Sequence, residues 1–528
     1  MQKRIIITAV VFAVMFSALY MRIYVLVSDE RYSQAAAAQS VCSLTVGNVN
    51  ANIYDRNLEK LTNTEYRYIA AVDPTAEAAE EILPHVKDRD EYYSQLVYGA
   101  PFTCEVDTNE FKSHDITAFA VPERYGKNNT AVHITGYLCD GVGVTGIESA
   151  YDDFLRSHSA ANEVTYSIDG QGTVLQGINK KISPAKNMTA GVVLTIDKYI
   201  QRIAELAGKK MKKGAVVIMD IRSGDILAMA SFPDFDPNDI GSALENKDSP
   251  LIDRCLYSYS VGSVFKLVTA LSAFEDGIDE NFSYNCTGST KVGDQIFKCH
   301  ELSGHGVQDM TEAMSNSCNT YFIKLAENTS TETLHKMAER LGFGVPISLC
   351  MGMNASGGTL QTMEELSLPA EKANFSFGQG KLTASPLQIC RFTAAIANEG
   401  KLFQPRLVRG TTENGIDIKG DEPAACTQVF DRDTAFRLQD LMIASVDGNS
   451  KSNARPSNTR AAGKTSTAQT GVFDKDGEEL CHGWITGFFP LSQPRYAVTV
   501  LCEDGGYGNQ CAAPVFKEIA ERITDIYS

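Results

Sequence analysis

The sequence predicts an α+β fold: an antiparallel sheet covered by helices, carried behind a membrane anchor and a spacer. Three observations predict it. Paired apolar runs stand at both ends of the C-terminal two thirds, Ala215–Met219 with Ile226–Ala230 and Gly483–Phe489 with Tyr496–Glu503. Helical periodicities lie between and after them, and one apolar run fills residues 5–27. Strand pairs at both ends with helices between and after them suggest an antiparallel sheet covered by helices.

The chain is long for a single core. At 528 residues it calls for several domains of the usual 100–200 residues. Hydrophobic residues at 43% and charged ones at 21% describe an ordinary folded chain and exclude collagen, low-complexity disorder and a polytopic transporter. A net charge of −17 gives no electrostatic support to a nucleic-acid partner.

The first element is the nearly all apolar run from Ile5 to Val27, whose one charged residue, Arg22, can snorkel its head to the lipid headgroups beside Tyr20 and Tyr24. Lys3 and Arg4 precede the run and Asp29 and Glu30 follow it, so the positive-inside bias places the N-terminus in the cytoplasm and the bulk of the chain outside. A cleaved signal peptide is the competing reading. Its best site, after Phe16-Ser17-Ala18, puts Phe where a small residue belongs. These features set the boundaries at 1–28 for the tail and anchor, 29–190 for an elongated extracytoplasmic spacer, and 191–528 for the main domain.

In the main domain, Asp197 is a candidate N-cap for a helix with Ile200, Ile203, Ala204 and Ala207 on one face. Arg222-Ser223-Gly224-Asp225 joins the first strand pair as a hairpin. Ser385-Pro386 opens a helix that Gly400 closes, and Pro514 starts a terminal helix over Val515–Tyr527. All 13 cysteines follow the anchor. An odd count leaves at least one unpaired, and so many thiols in an exported chain suggest a reducing habitat. No Cys-x-x-Cys pair appears, so the spacing gives a zinc site little support; Cys286 and Cys299, flanking a hairpin-like stretch at Lys291–Asp294, are the favoured disulfide if there is one. His305, in Gly304-His305-Gly306, reads as a turn residue, and Trp484 as a core residue.

Three short motifs carry the chemistry. Ser263-Val264-Phe265-Lys266 runs into an apolar helix-compatible stretch, which sets a lysine one turn from a serine hydroxyl: a nucleophile with a base. The lysine serves only if burial or a neighbouring charge lowers its pKa. Ser183-Pro184-Ala185-Lys186 repeats the spacing but offers no buried helix. Ser317-Cys318-Asn319 presents a second hydroxyl and an amide, or else a helix cap. Lys464, Thr465 and Thr467, in Gly463-Lys464-Thr465-Ser466-Thr467, put an ammonium and hydroxyls on a strand suited to a carboxylate.

Ser-x-x-Lys, Ser-x-Asn and Lys-Thr-x-Thr, in that order, form the motif set of penicillin-binding proteins and serine β-lactamases. With Gly143–Glu148, Tyr151–Leu155, Ile226–Ser231, Asp236-Pro237-Asn238, Phe377-Gly378-Gln379-Gly380 and Ala512-Ala513-Pro514, the chain resembles a class B penicillin-binding protein from the anchor to the last helix. It departs from that pattern at Ser466, where Gly is usual, and at Val261, where Pro is usual; the added Ser466 side chain is expected to narrow the cleft edge or weaken β-lactam binding. The resemblance implies a spacer of dimerisation type over 29–190 and a transpeptidase domain over 191–528, serine β-lactamase-like in fold. It implies acyl transfer on peptidoglycan stem peptides ending in D-Ala-D-Ala, with inhibition by β-lactams. Ser263 would be the nucleophile, Lys266 its base and Ser317 the proton relay, while Asn319, Lys464, Thr465 and Thr467 would bind substrate. Neither metal nor organic cofactor is implied. The partners implied are stem peptides or their lipid-linked precursor, β-lactams and a membrane-embedded glycosyltransferase. A D,D-carboxypeptidase or β-lactamase, and a non-catalytic β-lactam sensor or scaffold, are the alternatives.

Overall fold

The computed structural model describes residues 2–28, 40–186 and 188–527. Asp29, Glu30, Tyr32 at the start of the spacer and Asn187 near its end lie outside the described residues. Helix α1 (Gln2–Ser28) is 27 residues long with mean hydropathy 2.1 over its best window, long and apolar enough to cross a membrane.

The chain divides into two compact units interleaved along the sequence: Met1–Asn50, Asn63–Arg124 and His158–Met188 in one; Ala51–Thr62, Tyr125–Ser157 and Thr189–Ser528 in the other. The stretch read as spacer thus lends residues 51–62 and 125–157 to the second unit. In the first unit, β1 (Val41–Val49), β2 (Glu65–Val72), β3 (Phe102–Val106), β4 (Ile116–Glu123), β5 (Ala160–Ser167) and β6 (Lys181–Ser183) make two antiparallel sheets, ordered β1-β5-β6 and β3-β2-β4. A bulge at Gly47 re-aims β1, where φ is +67° and a Cβ would lie 2.3 Å from a methyl of Val121. Ser183 ends β6 and Lys186 is exposed, so the second Ser-x-x-Lys copy has no helix under it.

In the second unit, α2 (Lys198–Gly208) is capped by Asp197, whose side chain accepts from the backbone N–H groups of Tyr199 and Ile200. Strands β7 (Gly214–Asp220) and β8 (Ile226–Phe232) follow as the expected hairpin. The segment holding Ser263 then enters α3 (Lys266–Glu275). Four short strands come next: β9 (Tyr284–Cys286), β10 (Ser289–Val292), β11 (Gln295–Lys298) and β12 (Gly306–Gln308). Then come α4 (Met310–Ser315), α5 (Asn319–Asn328), α6 (Pro386–Ala397) and α7 (Arg432–Val446). The chain closes with β13 (Ala462–Phe473), β14 (Glu479–Phe489), β15 (Tyr496–Cys502) and α8 (Ala513–Tyr527).

The central sheet runs β8-β7-β15-β14-β13, antiparallel throughout, so β13 is an edge strand. Strand side chains alternate between faces, and both faces are buried. Ala215, Val217, Met219, Trp484, Phe488 and Leu501 pack on one side with α3, α5 and α6. Val216, Ile218, Ile485, Phe489, Val498 and Val500 pack on the other with α2 and α8. The result is a helix–sheet–helix sandwich with continuous apolar strands in its middle.

Candidate functional site

The site forms where the open edge of the sheet meets two turns. Ser263 lies in a 3₁₀ turn, Gly262–Phe265, that runs directly into α3. Gly262 has φ +62°, and its N–H donates to the carbonyl of Gly378 at 2.8 Å. Gly378, with φ +77°, has to be glycine: a Cβ there would lie 2.0 Å from the Gly262 carbonyl oxygen. On the sheet side, the Ser466 hydroxyl donates to the Val261 carbonyl at 2.9 Å and the Trp484 indole N–H to that of Ser260 at 2.9 Å. The turn before the serine is therefore held from two sides.

Ser466 corrects an expectation. It is 3% exposed and turned under the Gly262 loop, so it does not project into an open cleft edge. It fits because residue 262 is glycine, where a Cβ would lie 2.4 Å from the Ser466 Oγ. The two departures from the familiar motif, Ser466 and Val261, are partners in one hydrogen bond.

Ser317 and Asn319 sit at the junction of α4 and α5. The Cys318 N–H donates to the Ala313 carbonyl at 2.9 Å and the Ser317 N–H to that of Met314 at 3.2 Å, the double bond of a Schellman termination. Its left-handed position, normally glycine, is Ser317 at φ +53°. Such a conformation costs a non-glycine residue about 1–3 kcal/mol. A Ser317→Gly chain is accordingly expected to unfold at higher urea than Ser317→Ala, by about 1 kcal/mol, since both lose the hydroxyl and only glycine relieves the backbone. Equal midpoints would show that the turn is unstrained.

These turns converge on two buried lysines. Lys266 is 0% exposed, and its Nζ donates to the Ser317 carbonyl at 2.6 Å, to Asn319 Oδ1 at 2.7 Å and to Ser317 Oγ at 3.3 Å. Burial first, and then the charge of Lys464, hold its pKa well below the ordinary lysine range. Lys464, 1% exposed, donates to Ser317 Oγ and to the Thr465 carbonyl, both at 3.0 Å, and burial lowers its pKa to about 7. Thr467 Oγ1 accepts the Gly508 N–H at 3.3 Å. Thr465 and Thr467 alternate with the buried Lys464 and Ser466 along β13 and are half-buried.

Of the seven residues named from the motifs, Lys266, Ser317, Asn319 and Lys464 are joined by side-chain hydrogen bonds, Thr465 and Thr467 lie on the same strand as Lys464, and Ser263 lies in the turn that leads into Lys266. The sequence spacing sets Lys266 against the Ser263 hydroxyl, yet the lysine's hydrogen bonds go to Ser317 and Asn319, and Ser263 Oγ has no hydrogen-bond partner among the described residues. Three acceptors satisfy an ammonium fully; a neutral amine needs only two and keeps a lone pair for a proton.

Sequence reasoning missed a cluster beside the Ser317 turn. Cys286, Cys299, His305 and Cys318 bring their ligand atoms within 4.8 Å of one another. The disulfide favoured for Cys286 and Cys299 is not formed: both are free thiols, each 3.6 Å from His305 Nδ1. His305, read as a turn residue, turns its ring on the two sulfurs. The ligands arrive singly from separate elements, so no Cys-x-x-Cys pair announces them; the one sequence signal is Cys318 inside the Ser-x-Asn motif.

Residues 214–521 match the penicillin binding protein transpeptidase domain. Stage V sporulation protein D of Bacillus subtilis is 28% identical over 466 residues, covering 83% of this chain and 70% of that protein. The peptidoglycan D,D-transpeptidase MrdA of Acinetobacter baumannii is 28% identical over 416 residues, covering 71% of this chain and 60% of that protein. Among solved structures, the complex between PBP2 and MreC from Helicobacter pylori superposes with a TM-score of 0.67 at 22% identity, over 92% of this chain and 99% of that one.

Proposed function

This chain belongs to the penicillin-binding protein transpeptidase family, and on that premise we propose that it is a class B peptidoglycan D,D-transpeptidase acting through an acyl-serine at Ser263. The observation that carries the reading is Lys266, fully buried one turn from Ser263 and kept in its low-pKa state by burial and by Lys464. Ser263 attacks the carbonyl of the penultimate D-Ala while Lys266 takes its proton. Positioned proton transfer of this kind is worth about 10² to 10⁴ in rate. The Ser263 N–H, in the first turn of a 3₁₀ segment where backbone donors have no intrahelical partner, and the Thr467 N–H receive the oxyanion.

Ser317 Oγ lies within hydrogen-bond reach of both lysines, at 3.3 and 3.0 Å, and passes a proton to the departing D-Ala amine. Asn319 bonds the stem-peptide amide. Lys464, Thr465 and Thr467 take the terminal carboxylate, and an amine from a neighbouring stem resolves the acyl-enzyme into a cross-link. In this reading α1 anchors the chain with Lys3 and Arg4 in the cytoplasm and the catalytic unit outside, beside a membrane-embedded glycosyltransferase that supplies nascent glycan.

Incubation with a labelled penicillin followed by intact-mass and peptide mapping tests the proposal. One adduct per chain on the peptide containing Ser263, lost slowly, is the expected result. Rapid loss with turnover of the drug would make the enzyme a hydrolase. Absence of both an adduct and any release of D-Ala from a stem peptide would sink the acyl-serine reading.

A further inference from the structure

We infer that Cys502 and Cys511 are a redox pair, oxidised by low-molecular-weight disulfides, and that closing them into a disulfide slows acylation by drawing a helical turn off the substrate strand β13. Cys502 ends β15, and Cys511 ends the single turn Gly508–Cys511 that leads into α8. Both are free thiols.

Two glycines make room for the pair. Gly483 of β14 stands opposite Cys502, where facing Cβ atoms are about 4.5–5.5 Å apart. A Cβ on Gly483 would lie 2.2 Å from the Cys511 sulfur, so that sulfur takes the place of the missing side chain beside Cys502. A Cβ on Gly505 would lie 2.5 Å from the Cys502 Cβ and 3.3 Å from the Cys511 sulfur, so this glycine borders both thiols. The Cys502 thiol donates a hydrogen bond to Cys511, which holds the Cys511 pKa below the ordinary thiol range and the Cys502 pKa above it.

Burial sets the order of the exchange. Cys502 is 3% exposed, whereas Cys511 is half-buried and borders a cavity of about 550 Å³ lined also by Lys210, Met211, Leu480 and Val515. Cys511 is the reachable sulfur and the better thiolate. Its thiolate attacks one sulfur of a disulfide RSSR, forming a mixed disulfide and releasing RS⁻. The Cys502 thiol gives its proton to that RS⁻ and attacks the Cys511 sulfur, which expels the second RS⁻; the proton first lost by Cys511 neutralises this one. The two protein thiols lose two electrons, RSSR gains them, and two RSH result.

The turn that carries Cys511 touches the site. A Cβ on Gly508 would come within 2.2 Å of the Ser466 carbonyl oxygen and 2.4 Å of that of Trp484, so the turn rests directly on β13 and β14. The Gly508 N–H donates to Thr467 Oγ1 at 3.3 Å, long for such a bond. In the sheet, β14 separates β13 from β15. Sulfurs in a disulfide stand about 2.05 Å apart, closer than hydrogen-bonded thiols, so closing the bond draws Cys511 toward β15 and away from β13. The contact with Thr467 gives way first, and Thr467 is the residue assigned above to the oxyanion and the carboxylate. The pair acts through Thr467 and touches no substrate. Its effect on rate rests on the acyl-serine reading; the disulfide itself does not.

The test takes the full chain, fully reduced, and incubates it with oxidised glutathione. Peptide mapping without reduction should find Cys502 joined to Cys511. Labelling by a fluorescent penicillin should slow about three- to tenfold, the rate equivalent of one lost hydrogen bond, and recover on adding dithiothreitol. Cys511→Ala, or Cys511→Ser if the alanine chain does not fold, should label at the reduced parent's rate and ignore the oxidant. A treated chain in which the two cysteines stay free, or carry glutathione without joining each other, overturns the pair. Slowing that persists in the Cys511 variant belongs to other thiols and overturns the link, as does a mapped Cys502–Cys511 disulfide with unchanged labelling. A reduced chain that never labels would instead count against the acyl-serine reading, leaving the peptide map to decide the pair.

Discussion

A Ser263→Ala chain is expected to lose penicillin acylation by a factor on the order of 10⁶, the scale of nucleophile removal in serine acyl-transfer enzymes, while its unfolding free energy stays within about 0.5 kcal/mol of the parent. The asymmetry follows from the site. Ser263 is half-buried and its hydroxyl has no hydrogen-bond partner among the described residues, so removing one oxygen breaks no hydrogen bond there. The turn is held through other groups: the Gly262 N–H on Gly378, the Val261 carbonyl under Ser466 and the Ser260 carbonyl under Trp484. Lys464, Thr465 and Thr467 remain, so a carboxylate-bearing ligand should still bind without reacting. Gel labelling with a fluorescent penicillin, beside a thermal scan, reads both quantities. Residual labelling above about 1% of the parent rate would transfer the nucleophile's role to another hydroxyl, with Ser317 first to be tested.

Local pattern made most of this legible. The Asp197 cap, the β7–β8 hairpin, the helix start at Ser385-Pro386 and the β14–β15 pair depend on residues within a few positions of each other, and the structure has each where the spacing put it. The three motifs were readable for a similar reason: each lies within one turn or one strand. What stayed hidden depends on distant pairings. Gly378 lies 116 positions from Gly262, and only the folded chain presses its Cα against that carbonyl. The side chains of the Cys286, Cys299, His305 and Cys318 cluster are separated by 12, 5 and 12 residues across two hairpin segments and a helix start, a spacing with no local period. Lys464 sits on an edge strand, where exposure is the ordinary expectation, and the Ser263 and Ser317 turns bury it instead. Ser466 looked like an obstruction because its partner, the Val261 carbonyl, is 205 residues away.

Lys266→Met is expected to reduce the acylation rate by about 10²- to 10⁴-fold with little loss of stability. Methionine nearly matches the lysine stem in length and removes the burden of a buried amine. Against that gain stand the Ser317 carbonyl, Ser317 Oγ and Asn319 Oδ1, which lose a donor at a cost of about 1 kcal/mol each unless water enters. The two effects are opposed and of similar size, so the thermal midpoint should move by only a few degrees. The rate has no such compensation, because in the proposed mechanism the substitution removes the base itself. Lys266→Arg separates base from cation: it keeps a positive charge at the site but cannot deprotonate, so it should be as slow as the methionine variant. The parent's acylation rate should fall as pH drops through the depressed pKa of Lys266, because protonation removes the lone pair, and both variants should lack that limb. An arginine variant at a tenth of parental rate or faster would mean that Lys266 acts as a fixed charge, and the base would have to be sought at Ser317 and Lys464.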